Sequence, residues 1–190
     1  MTRPVISAIV VSYHTGPRLK ECVFALVADP DVAELIIVDN GNPPEMRDWL
    51  KRFAADRSEV KLIEGHGNIG FGAAINLGVQ HADGPHILVI TADAVKRRYS
   101  LAAMQDAAAQ SPTPWIVGGK IFNLAGVEER GPRRKELTLW RAVTGALGWN
   151  TWTLEATPPP EGPVEMPVIS GAFFLTSKES LDAREGVEEG

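Results

Sequence analysis

The chain has 190 residues, 44% of them hydrophobic and 23% charged, which is enough apolar material for a sizeable core in one domain. A formal net charge of −5 excludes broad affinity for a nucleic-acid backbone. The single cysteine, Cys22, excludes an intrachain disulfide and an all-cysteine metal site.

The chain opens on VISAIVVS (5–12), a β-branched apolar run of the kind that forms a strand covered on both faces. It is too short, and too soon interrupted by Ser7, to read as a signal peptide. No later window approaches the roughly 18 apolar residues of a membrane span, so a cytoplasmic protein is expected. Gly16-Pro17 ends the first strand, and Leu19, Cys22, Val23, Leu26 and Val27 follow at helical spacing. In that pattern Cys22 reads as a small core residue.

ELIIVDN (34–40) is the second buried strand, closed by Gly41-Asn42-Pro43-Pro44. Met46, Trp49, Leu50 and Phe53 mark a second helix. VKLIE (60–64) is a third strand, FGAAINLGVQHA (71–82) a third helix with a small-residue face, and HILVIT (86–91) a fourth strand. Leu101 to Ala109 is an alanine-rich helix, and WIVGGKIFN (115–123) a fifth strand. The alternation predicts an α/β fold, a mostly parallel central sheet with helices on both faces, whose ligands bind beyond the carboxyl ends of the strands.

From about residue 124 the rhythm changes. A short basic cluster, Arg130 to Lys135, reads as a solvated loop. Trp140, Trp149 and Trp152, with Leu139, Val143 and Leu147, then form an amphipathic segment that suits acceptor-loop packing or a membrane interface. After the linker TPPPEGP (157–163), MPVISGAFFLTS (166–177) returns to strand character and KESLDA opens a last short helix.

Gly65-His66-Gly67-Asn68-Ile69-Gly70 is a G-x-G-x-x-G placed between a strand and a helix, with Asp93 23 positions after Gly70. That is the form of a dinucleotide-binding loop. Its position after the third strand, instead of the first, argues against that use. The pattern alone leaves two readings: an NAD-binding oxidoreductase, or another nucleotide site.

The strand ends taken together are more specific. Val11-Ser12-Tyr13-His14, Val38-Asp39-Asn40-Gly41-Asn42, Asn68-Ile69-Gly70-Phe71-Gly72 with Asn76, and Thr91-Ala92-Asp93-Ala94 occur in that order, followed by SGAFFL at 170–175. This series resembles the family 2 glycosyltransferases, especially their rhamnosyltransferase-like branch, which read VVSYN, VVDNGS, NxGFAxxxNxG and NPDA. The resemblance implies a GT-A fold, a three-layer α/β/α sandwich with a mostly parallel sheet. It implies a single domain over 1–190, with a nucleotide-sugar half at 1–123 and a partial acceptor-side half at 124–190.

By the same resemblance, Val11, Ser12, Tyr13, Asp39, Asn40, Asn68, Gly70, Phe71, Thr91, Ala92 and Asp93 contact the nucleotide-sugar. Ser170, Gly171 and Ala172 stand on the acceptor side, and Asp93 ligates Mg²⁺ or Mn²⁺. Thr91-Ala92 replaces the family's usual Asn-Pro. Lys96-Arg97-Arg98 could meet phosphates, although a solvated helix start is the simpler reading. Each residue also has a plain structural alternative: Asp39 as a turn acid, Tyr13 as a loop aromatic, Gly171 as a packing glycine.

The implied activity is inverting transfer from a dTDP-, UDP- or GDP-sugar to a saccharide or lipid-linked acceptor, in cell-surface polysaccharide assembly. It leaves room for peripheral membrane association at the inner face of the cell membrane and for a homo-oligomer. The family's general base belongs to an acidic pair well after the strand that matches SGAFFL, and no residue here is assigned that role. The resemblance therefore implies a truncated form, a partner-supplied base, or a nucleotide-sugar binder without turnover.

Overall fold

In the computed structural model, the residues described are 5–123, 125–126, 162–166, 169–183 and 187. The tryptophan-bearing segment, the basic cluster and most of the proline linker lie outside them. The elements in chain order are β1 (Ile6–Ser12), α1 (Arg18–Val27), β2 (Val32–Asp39), α2 (Pro44–Ala55), β3 (Val60–Ile63) and α3 (Phe71–Gln80). They continue with β4 (His86–Thr91), α4 (Ser100–Ala108), β5 (Ile116–Gly118), β6 (Phe173–Ser177) and α5 (Lys178–Asp182).

The sheet runs β3-β2-β1-β4-β6-β5. The four strands from β3 to β4 are parallel, and β6 runs antiparallel to both β4 and β5. Every residue of β1 is buried, which explains why its sequence reads as a continuous β-branched run.

Alternation along the strands divides the core into two layers. Ile6, Ala8, Val10, Leu35, Ile37, Leu88 and Ile90 face Leu19, Cys22, Val23 and Leu26 of α1, Leu50 and Phe53 of α2, and Leu101 and Met104 of α4. Ile9, Val11, Ile36, Val38, Ile87 and Val89 face Ala74 and Ile75 of α3 and Leu181 of α5. Each of these large side chains contributes about 1.5–3 kcal/mol through burial. The small face of α3 allows close approach: a Cβ on Gly78 would stand 2.7 Å from Ile9 Cγ2.

Two predicted strands are shorter than their sequence signal. The run at 115–123 forms only Ile116–Gly118, at the sheet edge, with one further backbone bond from Gly119 N to Phe173 O at 3.0 Å. The run at 166–177 yields only Phe173–Ser177. Ahead of it Ser170 Oγ accepts from Ala172 N at 3.2 Å, so the chain turns before the ladder begins.

Register brings several loops to one edge. Ser12 stands beside Asp39, and Val11 beside Thr91. Because β6 is antiparallel and Phe173 pairs with Ile90, the Ser170–Ala172 turn reaches the same carboxyl edge. Order 3-2-1-4 reverses direction between β1 and β4, which is the switch point where open α/β sheets hold ligands.

The opposite, amino edge is closed by Glu34. Its Oε1 accepts from Ser7 Oγ at 2.5 Å, Asp83 N at 2.5 Å and Gly84 N at 3.3 Å, while Oε2 meets Lys61 Nζ at 2.7 Å. Burial alone would raise the Glu34 pKa, but the bonds from Lys61, Ser7 and the two backbone N–H groups outweigh it and hold the value at about 2.

Candidate functional site

At the carboxyl edge, Asp39 is 3% exposed and organises the turn after β2. Its Oδ1 accepts from Gly41 N at 3.1 Å, Asn42 N at 2.8 Å and Asn42 Nδ2 at 2.9 Å. Its Oδ2 faces Arg47 Nε at 3.5 Å. A carboxylate at the end of an apolar strand is costly to bury without such partners. One oxygen therefore holds the turn, and the other is directed at a half-exposed guanidinium.

Asn42 ties this turn to the end of β1. Its Nδ2 donates to Ser12 Oγ at 2.8 Å, its Oδ1 accepts from Thr15 N at 3.1 Å, and Ser12 Oγ donates to Thr15 Oγ1 at 3.1 Å. Asn42, Thr15 and Arg47 were not among the residues expected here. The available signal was the Asp-Asn-Gly-Asn string, in which an Asx residue folds the backbone following it.

Asn40 reaches the other way. Its Nδ2 donates to Asn68 Oδ1 at 3.0 Å and to Gly70 O at 3.2 Å, and its Oδ1 accepts from Ile69 N at 3.0 Å. Asn68 Oδ1 also accepts from Gly70 N at 3.0 Å. Asn40 thus grips the glycine loop with both ends of its amide. Gly70 has φ of 89° and turns the chain directly into α3, whose first residue, Phe71, is 41% exposed.

Tyr13 is 53% exposed and lies over Gly41, where a Cβ would stand 3.4 Å from Tyr13 Cε2. That is ordinary packing distance, but with φ of 118° Gly41 occupies a conformation that side chains avoid, so the backbone alone favours glycine here.

On the β4 side, Asp93 is exposed while Ala92 is buried among α1, α2 and α4. Behind this turn Cys22 Sγ faces Thr91 O at 3.8 Å. Burial first, and then the charge of Asp93, push the Cys22 thiol up to about 12. It stays protonated in this setting. Thr91 N donates to Ala172 O at 2.9 Å, joining this turn to Ser170–Ala172. A Cβ on Gly171 would lie 3.9 Å from Phe71 Cε1, so α3 also borders this region.

The expected residues thus divide into two groups. Val11, Ser12, Asp39, Asn40 and Ala92 are buried and form the frame, so Val11 and Ala92 can offer a ligand only backbone. Tyr13, Asn68, Phe71, Asp93 and Gly171 are exposed on it, with Gly70, Thr91, Ser170 and Ala172 between. Lys96 is committed elsewhere: it forms an ion pair with Asp29, the two side chains being 8% and 10% exposed. Arg97 lies 4.2 Å from the Phe122 ring. The solvated reading of the basic triplet therefore fails for Lys96.

Among the described residues no three His, Cys, Asp or Glu side chains come together. The donor set is a single exposed carboxylate, with a protonated thiol behind it. This fits Mg²⁺ or Mn²⁺ held by one carboxylate, a substrate diphosphate and water, and does not fit a softer metal. Among the same residues no helix is long and apolar enough to cross a membrane.

Comparison with known proteins agrees with this geometry. Two solved structures share the fold. The mannosyltransferase PcManGT from Pyrobaculum calidifontis, in complex with GDP-Man and Mn²⁺, matches with a TM-score of 0.66 at 20% identity, over 97% of this chain and 48% of that one. S. aureus TarS 1-349 matches with a TM-score of 0.52 at 21% identity, over 71% of this chain and 42% of that one. Among curated proteins, the low-salt glycan biosynthesis hexosyltransferase Agl10 of Haloferax volcanii is 23% identical over 142 residues, 73% of this chain and 43% of its own length. Glycosyltransferase GlyG of Streptococcus pneumoniae is 23% identical over 115 residues, 60% of this chain and 38% of its own. The chain spans about two fifths of the length of these curated relatives. The model of the family described as Glycosyl transferase family 2 matches residues 7–184, nearly the whole chain, so the chain belongs to that family and the mostly parallel sheet is a GT-A sheet.

Proposed function

We propose that this chain carries the donor site of an inverting, rhamnosyltransferase-like glycosyltransferase. It takes a nucleotide-diphosphate sugar and serves a saccharide or lipid-linked acceptor in cell-surface polysaccharide synthesis, at the cytoplasmic face of the membrane. Residues 1–123 are the donor half and 124–190 part of the acceptor half. The observation that carries the reading is the meeting, at one switch point, of the Asp39 turn, the Asn68–Phe71 loop, the Asp93 turn and Ser170–Ala172.

In this reading the exposed Tyr13 ring packs on the base. The Asn68–Gly70 backbone, held by Asn40, borders base and ribose, and Phe71 packs beneath. Asp93 would hold a divalent cation, which when bound neutralises charge on the departing diphosphate. Ser170–Ala172, with only small side chains, leaves room for the acceptor opposite. The acceptor oxygen bonds to the anomeric carbon as the carbon–oxygen bond to the diphosphate breaks, its electron pair leaving with the diphosphate. The acceptor proton passes to a carboxylate base. The family resemblance puts that base beyond β6, and no residue described here is assigned to it.

Calorimetry with UDP, dTDP and GDP, each with and without Mn²⁺, and with NADH tests the proposal. One nucleoside diphosphate is expected to bind with Mn²⁺-dependent affinity. Asp93→Ala is expected to lower that affinity at least tenfold while leaving the thermal midpoint in place. Tight NADH binding without metal-dependent nucleotide binding overturns the proposal.

A further inference from the structure

Asn76 lies on α3, five residues after Phe71, in a motif where an amide could equally brace the glycine loop or touch a ligand. Its amide instead meets one backbone position 111 residues away. Nδ2 donates to Val187 O at 3.0 Å, and Oδ1 accepts from Val187 N at 2.9 Å. An Asn amide carries the same donor and acceptor as a peptide group, so this is the two-bond pairing of a strand, offered by a helix whose own backbone groups are already engaged. Val187 also packs against the core layer that contains Ala74, Ile75 and Leu181.

The topology gives this clamp a direction. β6 ends at the amino edge, where Ser177 pairs with His86, and α5 begins there. α3 begins at the carboxyl edge, and Asn76 stands roughly 7–8 Å along it at 1.5 Å per residue. Val187 therefore lies partway along α3, between the amino edge and the edge where the candidate site lies. The helix that meets it is the one whose first turn follows the Asn40-held glycine loop.

We infer that Asn76 is a positioning residue of the acceptor side, which fastens the arm following β6 against the donor-loop helix and makes no contact with the nucleotide. Its placement on the acceptor side rests on the transferase reading; the clamp itself does not.

The clamp chemistry defines the variants. Asn76→Ala removes both bonds. Asn76→Asp keeps an acceptor for Val187 N–H, but when ionised it turns a second acceptor on Val187 O. When protonated, its carboxylic acid supplies a donor and an acceptor again.

The test is amide exchange of the 190-residue chain by NMR, together with calorimetry of UDP, dTDP and GDP in the presence of Mn²⁺. In Asn76→Ala the Val187 amide is expected to exchange at least tenfold faster than in the parent, with nucleotide Kd within twofold. In Asn76→Asp, each pH being compared with the parent at that pH, Val187 is expected to be better protected at pH 4 than at pH 7. About half of an ordinary aspartate is protonated at pH 4, whereas at pH 7 the ionised carboxylate repels Val187 O. Should the alanine variant not fold, the aspartate variant carries the test alone. Unchanged Val187 exchange in the variants overturns the inference. So does a tenfold weaker nucleotide Kd with Val187 still protected, which would return Asn76 to the ligand. If no nucleotide binds the parent, the transferase reading fails while the Val187 measurement still decides the clamp.

Discussion

The two edges of the sheet use the same materials to opposite ends. At the amino edge, the two oxygens of Glu34 meet a hydroxyl, two backbone N–H groups and Lys61, and Lys61 also bonds Asp83 and the carbonyl of His81. At the carboxyl edge, Asp39 and Asn42 hold the turn beneath the exposed Tyr13, and the buried Asn40 holds the loop that carries the exposed Asn68 and leads into Phe71. A closed polar network contributes stability, whereas one that holds exposed groups in place prepares a site. Substitutions at the two edges should therefore separate stability from binding.

The largest effect belongs to the amino edge. Glu34→Ala leaves Ser7 Oγ and the Asp83 N–H without this acceptor, while the Gly84 N–H keeps Ser7 Oγ at 2.8 Å, and should cost about 2–3 kcal/mol in urea denaturation. Nucleotide affinity of the folded protein should not move. Loss of affinity at constant stability would collapse the distinction between the edges.

Acid titration sharpens the same contrast. The folded-state pKa of Glu34, about 2, lies below its ordinary 4.5, so its contribution is complete above pH 4.5 and is lost as pH falls toward 2. With solvent screening of the partly exposed Lys61 partner, the stability at stake is roughly 1–2 kcal/mol. Urea midpoints at pH 6 and pH 3 should differ markedly in the parent, and less in Glu34→Ala.

Gly41→Ala acts on the other edge. At φ of 118°, with the Tyr13 ring at 3.4 Å, it should lose about 1–2 kcal/mol of stability. Because relief of that strain would shift the turn on which Tyr13 rests, nucleotide affinity should fall in the same variant, which calorimetry would read. The smallest effect is expected from Arg47→Ala. Its half-exposed guanidinium is 3.5 Å from Asp39 Oδ2, so a change near 0.5 kcal/mol is expected in denaturation.

How far the sequence disclosed these edges follows from what each residue answers to. Buried strands announced themselves because a parallel sheet covers both faces, so β1, β2 and β4 were legible as apolar runs. The antiparallel placement of β6 depends on pairing across the fold, and the run before it gives no sign that Ser170 turns the chain. Asn40 was named for the site, yet its amide holds the glycine loop, a contact spanning 28 residues that local pattern cannot carry. Lys96 read as a surface charge because its partner, Asp29, is 67 positions away in the chain. The dinucleotide-like spacing of Gly65, Gly67 and Gly70 left two readings open. Tight backbone needs glycine whichever nucleotide follows, and the family match, not the spacing, separates the two readings.

The most direct test of the central claim, that the carboxyl edge is the donor site, is an amide NMR titration with whichever of UDP, dTDP or GDP binds, in the presence of trace Mn²⁺. Paramagnetic broadening should be strongest at residues 91–94 and extend to 12–15, 39–42, 68–72 and 170–172. Signals of Ser7, Glu34, Lys61 and Gly84 at the amino edge should stay sharp. Broadening centred on the amino edge, or none near Asp93 with nucleotide bound, would contradict the account.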